Sequence, residues 1–214
     1  HNLLAYSKPL FSSLRERVTF IELQRHPLYM IIQQTLNMER LLNNPRDIQV
    51  LFNYKGIEIP YFAKNWEDLF IKSNAVEKAI YYFFYFIKKN EDFKKKYAIK
   101  NEIDFISIKF EEFIFNPMFF INMICDKLNT KLGKKTLKVL KKQKVPRNKI
   151  AEGIDLSIYR RCGWTPPSNK LNEKQELKMR RDFCIKQGAN KASMEILDEL
   201  SYKYEKELDI NCFD

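Results

Sequence analysis

Hydrophobic positions along this chain alternate between a strand-like and a helix-like spacing. Residues 3–15 read as a short helix. Residues 17–24 (RVTFIELQ) are apolar at Val18, Phe20, Ile21 and Leu23, hence on both faces. That pattern fits a strand inside a parallel sheet rather than at an edge. Pro27 opens a helix, where its missing N–H costs nothing. Leu28, Ile31, Ile32 and Leu36 mark its apolar side, with Leu42 near its end, before NNPRD at 43–47 breaks it. Residues 48–62 (IQVLFNYKGIEIPYF) alternate around Lys55-Gly56 and predict a hairpin or a pair of short extended segments. Aromatics nearly encircle residues 75–89, which predicts a helix sandwiched in the core. A lysine-rich polar stretch, 91–101, separates it from a second buried strand, DFISIKF at 104–110. An amphipathic helix follows at 117–129, with Phe120, Ile121, Ile124 and Leu128 on one stripe, and further helices are expected at 134–143, 171–187 and 191–207. Strands alternating with helices argue for a helix-rich α/β fold: a parallel sheet flanked by helices.

With 214 residues the chain forms one domain, 1–214, in which the hairpin and its aromatics, about 48–70, are an insert. Hydrophobic residues make up 45%, including 17 Phe and 11 Tyr, enough for a substantial core. No apolar run reaches the ~20 residues that span a bilayer; AIYYFFYFI at 79–87 is half that length and stops at Lys88 and Lys89. No membrane association is expected. Cys125, Cys162, Cys184 and Cys212 are scattered without metal-ligand spacing, and His1 and His26 are the only histidines. The expectation is no metal, and reduced thiols in a cytoplasmic setting. The net charge of +11 is uneven: residues 127–149 hold ten Lys or Arg and no acidic residue, a segment able to attract a polyanion.

Two places could carry chemistry. Arg25 stands where the first strand hands over to its helix, and in open α/β sheets ligands bind at the carboxyl ends of strands. A helix start there offers backbone N–H groups and a positive dipole end, and a guanidinium adds a forked donor for phosphate. An arginine that caps a neighbouring carboxylate, or one that points to water, is the plain alternative. The other place is YRRCGW, 159–164, in the long aperiodic stretch 144–169. Its paired arginines, glycine and indole could clamp a phosphorylated nucleotide.

The order of these pieces resembles the sulfotransferase family. FIELQRHPLYMIIQQ is similar to its 3′-phosphate-binding segment, in which a strand ends in Arg and a turn with Pro leads into a helix. IKFEEFIFNPMFFINMICDKLN, 108–129, resembles the later succession of strand, acidic pair, Asn-Pro and helix. RRCGW followed by LNEKQELKMRRDF resembles the late basic loop before the last helices. His1 with Leu3 and Leu4, some two dozen residues before Arg25, is similar to the Lys-Thr-His-Leu strand end whose histidine is the base in cytosolic members.

The resemblance implies a P-loop NTPase-like sulfotransferase topology. It also implies transfer of a sulfuryl group from 3′-phosphoadenosine 5′-phosphosulfate (PAPS) to a hydroxyl or amine of a small-molecule or carbohydrate acceptor, leaving PAP. Arg25 and the Arg160–Arg161 pair would hold the cofactor's 3′-phosphate, Gln33 and Gly163 would belong to the same cofactor site with Trp164 packed nearby, and His1 would be the catalytic base. Two departures stand out. Gln33 occupies the position, eight after the arginine, where the family usually has Ser. A glycine- and Ser/Thr-rich loop for the 5′-phosphosulfate is missing, so the chain reads as incomplete at its N-terminus: either a fragment, or a degenerate relative without activity. The rival is a non-catalytic basic module for nucleic acid or acidic glycan, based on residues 127–149. The chain lacks the RNP aromatics, zinc finger or base-reading helix of nucleic-acid binders. A P-loop kinase-like protein would need the same loop and a Mg²⁺-binding carboxylate at a strand end, and no strand here provides one. Elsewhere, His26 is a second base candidate. Tyr54, Tyr61 and Trp66 could stack on an acceptor but more often such aromatics pack on a core, and the C-terminal helix, with Ile196, Leu197, Leu200, Tyr204 and Leu208 at helical spacing, reads as a docking helix.

Overall fold

The computed structural model describes residues 7–14, 17–40, 50–98, 104–152 and 171–208. In chain order it holds α1 (Lys8–Leu14), β1 (Thr19–Gln24), α2 (Pro27–Arg40), β2 (Leu51–Tyr54), β3 (Ile57–Pro60), α3 (Glu67–Lys72) and α4 (Ala75–Ala98). There follow β4 (Asp104–Lys109), α5 (Phe110–Phe115), α6 (Pro117–Lys127), α7 (Lys134–Lys142), α8 (Glu173–Lys186) and α9 (Lys191–Lys206). The fold is helix-rich α/β, with a small parallel sheet flanked by helices.

β1 and β4 pair in parallel from Thr19↔Asp104 to Gln24↔Lys109, so both strands run out at the same end of the sheet. A parallel pair needs a long crossover, and here α2, the β2–β3 hairpin, α3 and α4 provide it. The apolar stretch at 18–23 predicts an interior strand, yet among the described residues β1 bonds only β4. Ile21 and Leu23 are 42% and 55% exposed, while Ile106 and Ile108, on the same face, are buried. The opposite face explains the remaining apolar positions of the strand. There Phe20 and Phe105 pack under Phe11, Phe93 and Tyr97 in a second, aromatic core. Phe93 and Tyr97 also explain why α4 runs to Ala98 rather than stopping near 89. Spaced four apart, they give the lysine-rich stretch a buried side.

The hairpin forms as its sequence predicts. Lys55 and Gly56 both take positive φ, 51° and 84°, as a tight turn between twisted strands requires. The Asn53 side chain accepts the Gly56 N–H at 3.1 Å. The main core lies between α2, α4, α8 and α9. Trp66 is buried there, stacked on Tyr85 and donating its indole N–H to the Phe62 carbonyl at 2.9 Å. Tyr81 and Phe83 are buried as well. No described helix is long and apolar enough to cross a membrane.

Candidate functional site at the carboxyl ends of the parallel strands

Because β1 and β4 are in register, the residues that follow them, Arg25-His26 and Phe110-Glu111, meet at one edge. The Arg25 guanidinium lies over the Phe110 ring at 4.7 Å and near the Tyr29 ring at 5.7 Å. Arg147, in the segment after α7, places its guanidinium 5.8 Å from the same Phe110 ring. Its backbone N–H reaches the Ile114 carbonyl at 2.8 Å, which ties that segment to α5. Its Nη1 donates to the Ile150 carbonyl at 3.0 Å, and Nε to the Lys144 carbonyl at 3.3 Å. Desolvation, and next the nearby Arg25 charge, lower the proton affinity of Arg147, with Glu152 acting in the opposite direction. Two guanidinium groups from distant parts of the chain therefore lie close to one aromatic ring.

The start of α2 is fastened more tightly than the sequence suggests. His26 is fully buried and acts as a cap: its Nδ1 accepts the Leu28 N–H at 3.1 Å. The ring's Nε2 is 2.9 Å from Glu205 of α9. With Nδ1 accepting, the proton sits on Nε2 and is donated to that carboxylate. His26's own N–H donates to Glu111 at 3.3 Å, and the Tyr29 N–H goes to the His26 carbonyl at 3.0 Å. Pro27 has no N–H. The first-turn amides expected to greet an anion are thus already engaged, so the charge for such a site comes from guanidinium groups and the helix dipole. A buried, doubly engaged imidazole also removes His26 as a second base.

Glu111, fully buried, holds this corner together by accepting the Tyr204 hydroxyl as well. Beneath it, Arg180 and Glu176 of α8 form a buried ion pair at 2.7 Å. The Arg180 Nη1 donates to the Tyr29 carbonyl at 3.1 Å, and its guanidinium lies over the Tyr29 ring at 5.0 Å. Burial, and then the Glu176 charge, hold the Tyr29 phenol protonated far above its usual range.

Of the residues singled out from sequence, Arg25 lies at this edge. Gln33 is exposed further along α2. His1, Arg160, Arg161, Gly163 and Trp164 lie outside the described residues. Sequence reading missed Arg147, Glu111, Tyr204 and Glu205 as members of one corner. The acidic pair Glu111-Glu112 was the one visible signal, since carboxylates this deeply buried need partners. Among the described residues no group of His, Cys, Asp or Glu could hold a metal ion.

What fold and site define together is a helix-rich α/β protein with paired arginines at the carboxyl end of its parallel strands. No protein-family model, no curated protein and no solved structure matches the chain.

Proposed function

We propose that the chain is a sulfotransferase-like protein with the P-loop-like topology of that family, and that Arg25 grips the 3′-phosphate of PAPS or PAP. One observation carries the reading. Two separated segments that resemble the family's, strand–Arg–Pro–helix and strand–Glu-Glu–Asn-Pro–helix, are parallel neighbours in register, and Arg25 of the first lies on Phe110 of the second. A half-buried guanidinium above an aromatic ring, with a second cation close by, fits a phosphate. When bound, PAPS supplies the sulfuryl group for transfer to an acceptor hydroxyl or amine, on a small molecule or a carbohydrate. Arg25 contributes binding and orientation of the nucleotide.

Calorimetric titration with PAP and AMP tests this. PAP should bind at least ~10-fold more tightly than AMP, and Arg25→Ala should remove that advantage while leaving AMP unchanged. Equal affinity for PAP and AMP in the unaltered protein sinks the reading.

A polyanion-binding module is the second reading, favoured by α7. Thr136 and Leu140 turn toward the protein, while Lys134, Lys135, Lys138, Lys141 and Lys142 fan over the opposite side and none of them forms an ion pair among the described residues. Binding of heparin or single-stranded DNA that collapses steeply with salt, alongside indifference to the 3′-phosphate, would put this reading ahead.

A further inference from the structure

We propose that the α6–α7 segment lies on an anionic phospholipid surface, with apolar side chains entering the headgroup boundary and lysines meeting the headgroups. The inference goes beyond both readings above and rests on neither. α6 is apolar nearly all round: Met118, Phe119, Phe120, Ile121, Met123 and Ile124 fill six of the seven positions 118–124. A helix of that composition ordinarily lies inside a protein. Here Pro117 is its one buried residue, and none of its side chains belongs to either core among the described residues. Phe120 leans on Phe113 of α5, with ring centroids 6.3 Å apart, while Phe119 is 60% exposed.

α7 adds charge to this apolar surface. None of its residues is buried, and Leu137 and Val139, 48% and 55% exposed, border by helical spacing the side that carries its five lysines. Both helices belong to one out-and-back excursion of the chain. α6 sets out from α5, and after α7 the Arg147 N–H bonds the Ile114 carbonyl at 2.8 Å. Leu128, between the two helices, is exposed as well. Residues 117–149 hold ten Lys or Arg and a single acid, Asp126. Lys127 is paired with Asp104 at 2.9 Å, but Lys131 and the lysines of α7 form no ion pair among the described residues.

Charge and side-chain type together select the occupant. A second copy of the same face would bring like charges together. A nucleic acid or an acidic glycan would meet the lysines and leave the apolar side chains in water, and Leu128, Leu137 and Val139 offer no ring on which a base could stack. An anionic bilayer takes both kinds of group: its headgroups attract the lysines, and its acyl boundary receives the apolar side chains. The expectation of no membrane association comes from the length of apolar runs, and length bears on crossing a bilayer, not on lying upon it.

Flotation of the unaltered protein with vesicles of phosphatidylcholine, alone or with about 30% phosphatidylserine, is the test. Binding is expected only to the vesicles with phosphatidylserine, and it should weaken as salt rises. Two triple variants at exposed positions, checked for fold by circular dichroism, separate the contributions: Lys135→Gln/Lys138→Gln/Lys142→Gln and Phe119→Gln/Leu137→Gln/Val139→Gln. Each should lose at least ~10-fold in vesicle affinity, and the apolar variant should keep the unaltered protein's affinity for heparin. Phe119→Gln alone serves if the apolar triple variant loses helicity. Vesicle binding that the apolar variant retains in full means a purely electrostatic contact and overturns the proposal. Binding of heparin or single-stranded DNA without vesicle binding overturns it in favour of the polyanion module. A dimer in lipid-free sedimentation that the apolar variant abolishes overturns it in favour of a second copy. The comparison of PAP with AMP is independent of all these outcomes.

Discussion

Cys184 shows how burial sets the chemistry of a single residue. It is enclosed between α8 and its neighbours, and desolvation pushes its thiol up to about 12 from 9.0. An unfolded chain would ionise this thiol near 9, whereas the folded one keeps its proton until far higher pH. The unfolded state therefore sheds the proton first, and stability present below pH 9 is lost as pH rises from about 9 toward 12. For Cys184 alone the loss should reach about 2 kcal/mol near pH 10.5. Urea unfolding between about pH 8 and 10.5 should show a shallower decline for Cys184→Ala than for the unaltered protein. Parallel declines would mean that the thiol is not what is titrating. The same burial makes this thiol a poor nucleophile; Cys184 follows buried Leu177 by seven residues, on the same side of α8. Nothing in the sequence, by contrast, marked His26 as a cap. Its role depends on Glu205, which lies 179 residues further along the chain.

At the scale of elements, helix starts in this protein are joined to one another. Asn74 and Glu77 cap α4 reciprocally: the Asn74 side chain accepts the Glu77 N–H at 3.0 Å, and the Glu77 carboxylate accepts the Asn74 N–H at 3.1 Å. The same carboxylate accepts the N–H of Asn190, the N-cap of α9, also at 3.1 Å, and the Asn74 amide donates to the Gly188 carbonyl at 2.9 Å. Gly188 permits this approach because it adopts φ +80°, a conformation that side chains resist. Glu77→Ala should accordingly cost more than one cap, about 2 kcal/mol, because it orphans donors at two helix starts. Thermal unfolding of Glu77→Ala beside Glu195→Ala, an exposed position on α9, measures this. Equal melting points would refute the shared cap. The individual boxes are local and legible, since Asn-x-x-Glu precedes an apolar run at 74–77 and Asn-x-x-Gln begins α8 at 172–175. That one carboxylate serves two helices is not legible, because the α8–α9 turn reaches it only in the folded chain.

At the scale of the whole molecule, the C-terminal helix is the clamp on the candidate site. Tyr204 donates its hydroxyl to buried Glu111, Glu205 receives the His26 imidazole, and Lys109 reaches Glu207 at 2.6 Å. Tyr204 and Glu205 on the last turn of α9, with Glu207 just past its end, thus grip the ends of both parallel strands. Tyr204→Phe removes one grip and keeps the ring packed. It should cost about 1–3 kcal/mol, since a buried carboxylate loses a donor. It should also speed amide hydrogen exchange in the last turns of α9 ahead of the turns near Asn190. Unchanged exchange there would show that apolar packing by Leu197 and its neighbours suffices. The sequence by itself determined the kinds of element and their approximate places: the strands at 19–24 and 104–109, the Lys55-Gly56 turn, the proline that starts α2 and the lysine face of α7. These follow from side-chain spacing and turn chemistry, which act over a few residues. Tertiary structure decided that α4 continues through a lysine-rich stretch, because Phe93 and Tyr97 meet Phe11 over one face of the sheet. It also decided that Arg25 stands on Phe110 beside Arg147 and that the first amides of α2 are engaged. Those outcomes depend on charges and rings brought together from distant parts of the chain, and such forces act through space, where sequence spacing carries no record of them.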